Sequence, residues 1–265
     1  MEDVLQRLQA AKKYADICPD TLERVVTEAF LRHKRPKDAE KAAREALHGI
    51  TGAFMSPEEL KKARALLLAD DVAGALRLHA STRERMPIDA FYDALFSRIG
   101  RPERVLDLAC GFNPVYLAST GIAVEGVDIS GALANLANEW AARTGASMHI
   151  AVRDLLCEGA VPGERFDMAL AMKLLPVLES QKKGAAARLM TKINAAHLFV
   201  TFPTRTLGGR GVGMERHYSD WFEALAMPDW TIEARSILGS ELVYQLREAR
   251  NGEIVRGGDA NREPE

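Results

Sequence analysis

The feature that most constrains this chain is a rhythm that begins at Arg104. Residues 104–109 form a short run that is apolar apart from Arg104 at its start and Asp107 within it, and that ends in Cys110-Gly111. A continuous apolar run opening into a glycine turn is the pattern of a strand buried on both faces, and therefore of a parallel sheet. The pattern recurs. Residues 122–128 read as a second strand with a helix over 131–143 behind it, and residues 147–152 as a third strand with Asp154 just past its end. Residues 166–172 and 197–202 supply a fourth and a fifth strand, and residues 230–238 and 241–246 a closing pair of edge strands. Strands alternating with helices predict a doubly wound, Rossmann-like α/β fold whose ligands sit at the carboxyl ends of the strands.

The first hundred residues follow a different period. Val4, Leu5, Leu8, Ala11 and Tyr14 recur at helical spacing, and a second helix opens after Pro19 with Asp20 as its expected N-cap. Pro36 breaks that helix, and residues 37–50 make a third. Ser56-Pro57-Glu58-Glu59 then has a capping serine, proline at the first helical position and acids that suit the helix dipole. The expected organisation is a helical part over residues 1–100, an α/β domain over 101–248 and a polar, aperiodic tail over 249–265 that reads as disordered. With 47% hydrophobic and 27% charged residues, 265 residues are enough for one large domain or two unequal ones.

Several classes are disfavoured at once. Cys18, Cys110 and Cys157 are an odd, scattered set without a CxxC pair, and His33, His48, His149, His197 and His217 have no metal-ligand spacing, so no metal is expected. No apolar stretch reaches the ~18 residues of a membrane span, and Met1-Glu2-Asp3-Val4 lacks a secretory n-region. A cytoplasmic monomer with no membrane contact is the expectation. The net charge of −2 (35 basic against 37 acidic residues) creates no global attraction to nucleic acid, but the distribution is uneven. Arg24, Arg32, Lys34, Arg35, Lys37, Lys41 and Arg44 exceed the nearby acids by three, and residues 203–214 are acid-free with Arg205 and Arg210 among four glycines. Short runs of this kind are commonly a solvated helix end and a loop; the sharper reading is a pair of phosphate-contacting surfaces.

Residues just beyond the strands carry the ligand chemistry. Gly111, in Asp107-Leu108-Ala109-Cys110-Gly111-Phe112-Asn113-Pro114, permits close approach of a ligand, and Pro114 suits a helix start. Asp128 ends the second strand, placed to accept from vicinal ribose hydroxyls, and Asp154 follows the third, placed to accept from an adenine amino group. A single glycine followed by phenylalanine is not the GxGxxG cradle of a dinucleotide, and no GxxxxGK[ST] occurs. The turn therefore suits S-adenosylmethionine better than NAD. Cys110 lies inside that turn, where a packing role fits better than a nucleophile for carbon methylation, and Met172-Lys173-Leu174-Leu175-Pro176 cannot act as the Pro-Pro-aromatic loop used on exocyclic amines. Guanine N7 has a free lone pair and no proton, so its methylation requires placement of a flipped-out base and no general base.

At this point the chain resembles a known family, the aminoglycoside-resistance methyltransferases that modify 16S ribosomal RNA at guanine N7. The resemblance covers about residues 10–246. It rests on Lys13-Tyr14, Leu47-His48-Gly49-Ile50, Gly52-Ala53-Phe54, His79-Ala80-Ser81-Thr82-Arg83-Glu84-Arg85, the Gly111 turn and Lys173-Leu174-Leu175-Pro176. It continues through Leu178-Glu179, Thr201-Phe202-Pro203-Thr204-Arg205, Leu207-Gly208, Gly213-Met214 and Gly239-Ser240-Glu241-Leu242-Val243-Tyr244. Phe112, where the family often has leucine, and the polar C-terminal extension are departures.

The resemblance implies a Rossmann-like doubly wound S-adenosylmethionine-dependent methyltransferase sheet with an all-helical N-terminal domain. It implies that Phe54, His79, Ala80, Ser81 and Arg85 close over the cofactor, with Arg85 pairing its methionine carboxylate. Gly111, Asp128, Asp154, Leu155, Met172 and Gln181 would complete the pocket, and Lys173, the candidate catalytic residue, would sit beside the target base. Arg32, Lys34, Arg35, Lys37, Arg205 and Arg210 would hold RNA. The implied target is guanosine 1405 of 16S rRNA within the assembled 30S subunit, and the implied consequence is resistance to 4,6-disubstituted deoxystreptamines such as gentamicin and kanamycin. Duller roles stand beside these: His79 as a satisfied helix histidine, Phe54 as core, Asp107 as a brace of the turn, Asp128 as a helix cap and Lys173 as a solvated lysine. An inert RNA-binding module and a small-molecule methyltransferase are the competing functions.

Overall fold

A computed structural model describes residues 1–51, 55–204 and 213–249. Seven helices come first: α1 (Glu2–Ala10), α2 (Pro19–Arg32), α3 (Pro36–Thr51), α4 (Pro57–Leu68), α5 (Val72–Leu78), α6 (Ala80–Arg83) and α7 (Ile88–Ile99). The α/β part follows as β1 (Arg104–Leu108), α8 (Asn113–Ser119), β2 (Ala123–Asp128), α9 (Gly131–Thr144), β3 (Met148–Val152) and β4 (Phe166–Met172). It continues with α10 (Leu175–Gln181), α11 (Ala185–Met190), β5 (Ala195–Pro203), α12 (Met214–Glu223), β6 (Trp230–Leu238) and β7 (Glu241–Glu248). The expected tail beyond residue 249, together with Phe54, Arg205 and Arg210, lies outside the described residues.

Local chemistry fixes several boundaries. Ser56 Oγ accepts from the Glu59 amide at 3.2 Å while Glu59 Oε2 accepts from the Ser56 amide at 2.8 Å, a reciprocal cap with Pro57 inside it. Asp71 caps α5 through the Gly74 amide, and Ser130 caps α9 through the Leu133 amide. The expected Asp20 cap is not formed. Cys18 is the N-cap of α2, Pro19 takes the first turn, and Asp20 lies one step inside, where its charge serves the dipole without a capping bond.

The sheet order is β3-β2-β1-β4-β5-β7-β6, with parallel pairing from β3 through β5 and antiparallel pairing of β7 with both β5 and β6. The last two strands are therefore not a pair of edges. Burial explains the difference: β7 is buried along Glu241 to Leu246, as an interior strand must be, while β6 alternates along its length and faces solvent on one side. The order reverses between β1 and β4, and the crevice above that switch point is where an open sheet binds ligands.

Among the described residues, three apolar clusters hold the fold together. The first three helices pack around Val4, Leu8, Tyr14, Leu22, Val26 and Leu47. Helices α4 and α7 share a second cluster with α8, α9 and one sheet face, through Leu67, Phe91, Tyr92, Leu95, Phe112 and Trp140. The opposite face packs against α10, α11 and α12 through Leu175, Leu189 and Phe222. The helical segment thus reaches over the carboxyl ends of the strands with its side chains already anchored in the sheet's own core.

Candidate functional site

A cavity of about 1050 Å³ opens at the carboxyl ends of β1, β2, β3 and β4, roofed by residues of α2, α3, α4 and α6 and of the segments that flank them. Its floor is a strained turn. Ala109 (φ 53°) and Gly111 (φ 54°) after β1, and Lys173 (φ 56°) after β4, all take left-handed backbone conformations, which a non-glycine residue adopts only where its surroundings impose it. Gly111 is doubly required. A Cβ there would lie 2.5 Å from Cε1 and 2.8 Å from Nε2 of His79, so the imidazole occupies the space a side chain would fill.

Asp128 closes the turn from β2. Its Oδ2 accepts from the Gly111 amide at 3.0 Å and its Oδ1 from the Ser130 amide at 2.9 Å, so one carboxylate braces both the glycine turn and the entry to α9. Burial raises its pKa, and the backbone amides oppose that rise. Asp107, fully buried in β1, is not on the cavity wall, and burial pushes its carboxyl well above the ordinary range. Asp154 is buried, with Oδ1 accepting from the Leu156 amide and Oδ2 from Arg24 Nε, each at 2.9 Å.

In the sequence Arg24 belongs to the basic run, but in the structure its side chain is turned inward to Asp154. Its Nη2 also donates to Gln181 Oε1 at 2.9 Å, so a guanidinium from α2 ties Asp154 to Gln181 across the cavity wall. Lys41 and Arg44 are likewise paired, with Glu45 and Glu40. What remains of the run is Arg32, Lys34, Arg35 and Lys37, all exposed at the α2–α3 corner and outside any ion pair among the described residues.

The roof carries the other expected residues. His79, Ala80, Ser81 and Arg85 line the cavity, as do Leu155, Met172, Lys173 and Gln181. His79 Nδ1 lies 3.1 Å from Thr82 Oγ1 and its ring is tilted against Phe112. Burial first, then the Arg85 charge, lowers its pKa to about 4, so it is neutral at pH 7. Arg85 Nε donates to Glu241 Oε1 at 2.8 Å and Nη1 to Asn113 Oδ1 at 3.0 Å, while buried Nη2 has no partner among the described residues. Lys173 Nζ contacts Glu84 and lies 3.1 Å from Glu241 Oε1. Arg24, Asn113 and Glu241 were not singled out from the sequence. The legible signals were a residue at the first turn of a helix behind the glycine turn and a lone acid opening an apolar strand.

These features fit a nucleoside cofactor without a pyrophosphate. The turn has one close-approach glycine, carboxylates stand at the ends of β2 and β3, and Arg85, which lines the wall, keeps one buried guanidinium nitrogen without a partner among the described residues. Among the described residues no cluster could hold a metal ion, and no helix is long and apolar enough to cross a membrane. A doubly wound sheet with that turn places the chain among the S-adenosylmethionine-dependent methyltransferases. Residues 10–245 match the family model of the ribosomal RNA methyltransferase (FmrO), and the chain belongs to that family. It is 46% identical to a 16S rRNA (guanine(1405)-N(7))-methyltransferase of Serratia marcescens over 95% of this chain and 99% of the relative. The solved 16S rRNA methyltransferase RmtF, in complex with S-adenosyl-L-homocysteine, is 48% identical with a TM-score of 0.86, covering 94% of this chain and 98% of that one. The 16S rRNA methylase RmtB is 42% identical with a TM-score of 0.85, covering 94% and 98%.

Proposed function

We propose that this enzyme methylates N7 of guanosine 1405 of 16S rRNA in the assembled 30S subunit and thereby confers resistance to gentamicin, kanamycin and related 4,6-disubstituted deoxystreptamines. The observation that carries the reading is the near full-length match to a relative of that stated specificity, supported by a cavity lined by Arg85, Gly111, Asp128 and Asp154. The Gly111 turn and Asp128 would hold the nucleoside's ribose side, Asp154 and Leu155 its base, and Arg85 the carboxylate of its amino-acid tail. When bound, S-adenosylmethionine supplies a methyl group on an activating sulfonium centre.

The chain's own contribution is placement. Guanine N7 has no proton to remove, so the protein must orient the base and exclude water. Lys173, a donor-only ammonium held between Glu84 and Glu241, suits the guanine acceptor O6, which leaves the lone pair of N7 free for the incoming methyl group. Exposed Arg32, Lys34, Arg35 and Lys37 offer a phosphate-contacting corner on the same helical part that roofs the cavity. A methyl group at N7 fixes a positive charge in the decoding site, which repels and crowds cationic drugs.

The test is transfer of labelled methyl from S-adenosylmethionine to 30S subunits, with free 16S RNA and free drug as controls, followed by mapping of N7-methylguanine. Label at guanosine 1405 of the subunit, with kanamycin resistance in cells, is the expected result. Label on the drug, or at another nucleotide, overturns the proposal.

A further inference from the structure

Glu241 has a setting that the cofactor pocket alone does not require. It opens β7, immediately after the Gly239 turn, with its neighbour Ser240 anchored by the Thr204 amide and hydroxyl, each 2.9 Å from the Ser240 carbonyl. Its side chain is 1% exposed, as is that of Arg85. One oxygen, Oε1, accepts from Arg85 Nε at 2.8 Å and lies 3.1 Å from Lys173 Nζ; Oε2 has no partner among the described residues. A single buried carboxylate oxygen therefore stands between two cations from different parts of the chain. Arg85 follows α6 in the roof, and Lys173 follows β4 in the floor.

Such an arrangement has an energetic cost. A carboxylate buried with one oxygen unmatched is destabilising unless the charges around it need it, and two cations on one acceptor repel each other. What the carboxylate provides is geometry. The Nε and Nη1 bonds to Glu241 and Asn113 fix the guanidinium plane in two directions, leaving Nη2 as the donor not yet engaged. Glu84, 40% exposed, holds the Lys173 ammonium from the solvent side, while Glu241 holds it from the protein side.

We propose that Glu241 is a positioning residue that aims Arg85 at the cofactor's amino-acid carboxylate and Lys173 at the target base, linking the two binding steps through one buried carboxylate. This rests on the reading that Arg85 faces that carboxylate. Loss of the charge at 241 frees the guanidinium from one of its two fixed bonds and leaves the two cations without their shared counter-ion. The nucleoside end of the pocket, built on Gly111, Asp128 and Asp154, is untouched.

The experiment compares the full-length protein with Glu241→Gln and Arg85→Gln, measuring calorimetric binding of S-adenosylhomocysteine and of 5′-methylthioadenosine, which lacks the amino-acid tail. Glu241→Gln is expected to weaken S-adenosylhomocysteine about tenfold and to leave methylthioadenosine within twofold. Turnover on 30S subunits at saturating cofactor is expected to fall as well, through Lys173. Equal loss for both ligands, or no loss for either, overturns the proposal, because a merely structural carboxylate would loosen the whole pocket or none of it. If Arg85→Gln leaves the ratio of the two affinities unchanged, the carboxylate reading of Arg85 fails. If Arg85→Gln changes the ratio and Glu241→Gln does not, only the role of Glu241 fails. Should Glu241→Gln not fold, Glu241→Asp keeps the charge, withdraws it by one methylene and is read by the same ratio.

Discussion

Gly111→Ala tests the floor of the site, because two independent effects converge on one methyl group. The backbone at φ 54° is left-handed, which costs an alanine ~1–2 kcal/mol. The new Cβ would also lie 2.5 Å from His79 Cε1, far inside van der Waals contact. The imidazole cannot withdraw freely, being buried, tilted against Phe112 and in contact with Thr82, so overpacking adds ~1–3 kcal/mol. A total near ~3 kcal/mol lowers Tm by about 6–12 °C for a chain of this size. Thermal unfolding followed by circular dichroism measures the loss, and calorimetric titration with S-adenosylhomocysteine measures the accompanying loss of affinity. The double variant with His79→Ala separates the two effects. It should recover the overpacking part but not the backbone part, giving a coupling of about 1–3 kcal/mol between the two positions. A Tm shift under ~2 °C for Gly111→Ala, or strict additivity in the double variant, would refute the reasoning.

Three further outcomes follow from the same geometry. His79 has a folded-state pKa of about 4 against an ordinary 6.5, so its contribution to stability is complete above pH 6.5 and is lost as pH falls toward 4; at ~1.4 kcal/mol per unit the loss reaches about 3 kcal/mol, and His79→Gln should flatten that part of the pH–stability curve. Arg24→Ala removes the guanidinium shared by Asp154 and Gln181 and should weaken S-adenosylhomocysteine by roughly tenfold or more, with Arg24→Lys a poor substitute because one ammonium cannot reproduce the fork; unchanged affinity in both variants would contradict the assignment. Replacing Arg32, Lys34, Arg35 and Lys37 by alanine should weaken 30S binding and flatten its salt dependence by about one unit of slope per lost phosphate contact, while cofactor affinity stays within twofold in calorimetry.

Much of the fold was legible because it is written locally. The apolar runs of β1 and β4, the reciprocal cap at Ser56 and Glu59, and Gly111, Asp128 and Asp154 at or just beyond strand ends all depend on neighbours within a few residues. Period, turn chemistry and the rule that ligands sit beyond carboxyl ends were enough to locate them. The order of the last two strands was not legible, since β6 and β7 form the same hairpin whether β7 is an edge or lies inside the sheet. The choice follows from which strand is buried on both faces once β5 is present.

The sequence by itself determined an α/β sheet, a cofactor turn without a pyrophosphate cradle and the acids that flank it. Only the tertiary structure decided how the charges pair. Arg24 reads as part of a solvated basic helix until Asp154, 130 residues away, and Gln181, 157 residues away, arrive beside it. Glu241 reads as one acid among many until Arg85, 156 residues earlier, is buried against it. The physical reason is range: periodicity and capping act over a few residues along the chain, whereas a buried charge is defined by whichever opposite charge the fold brings within hydrogen-bonding distance.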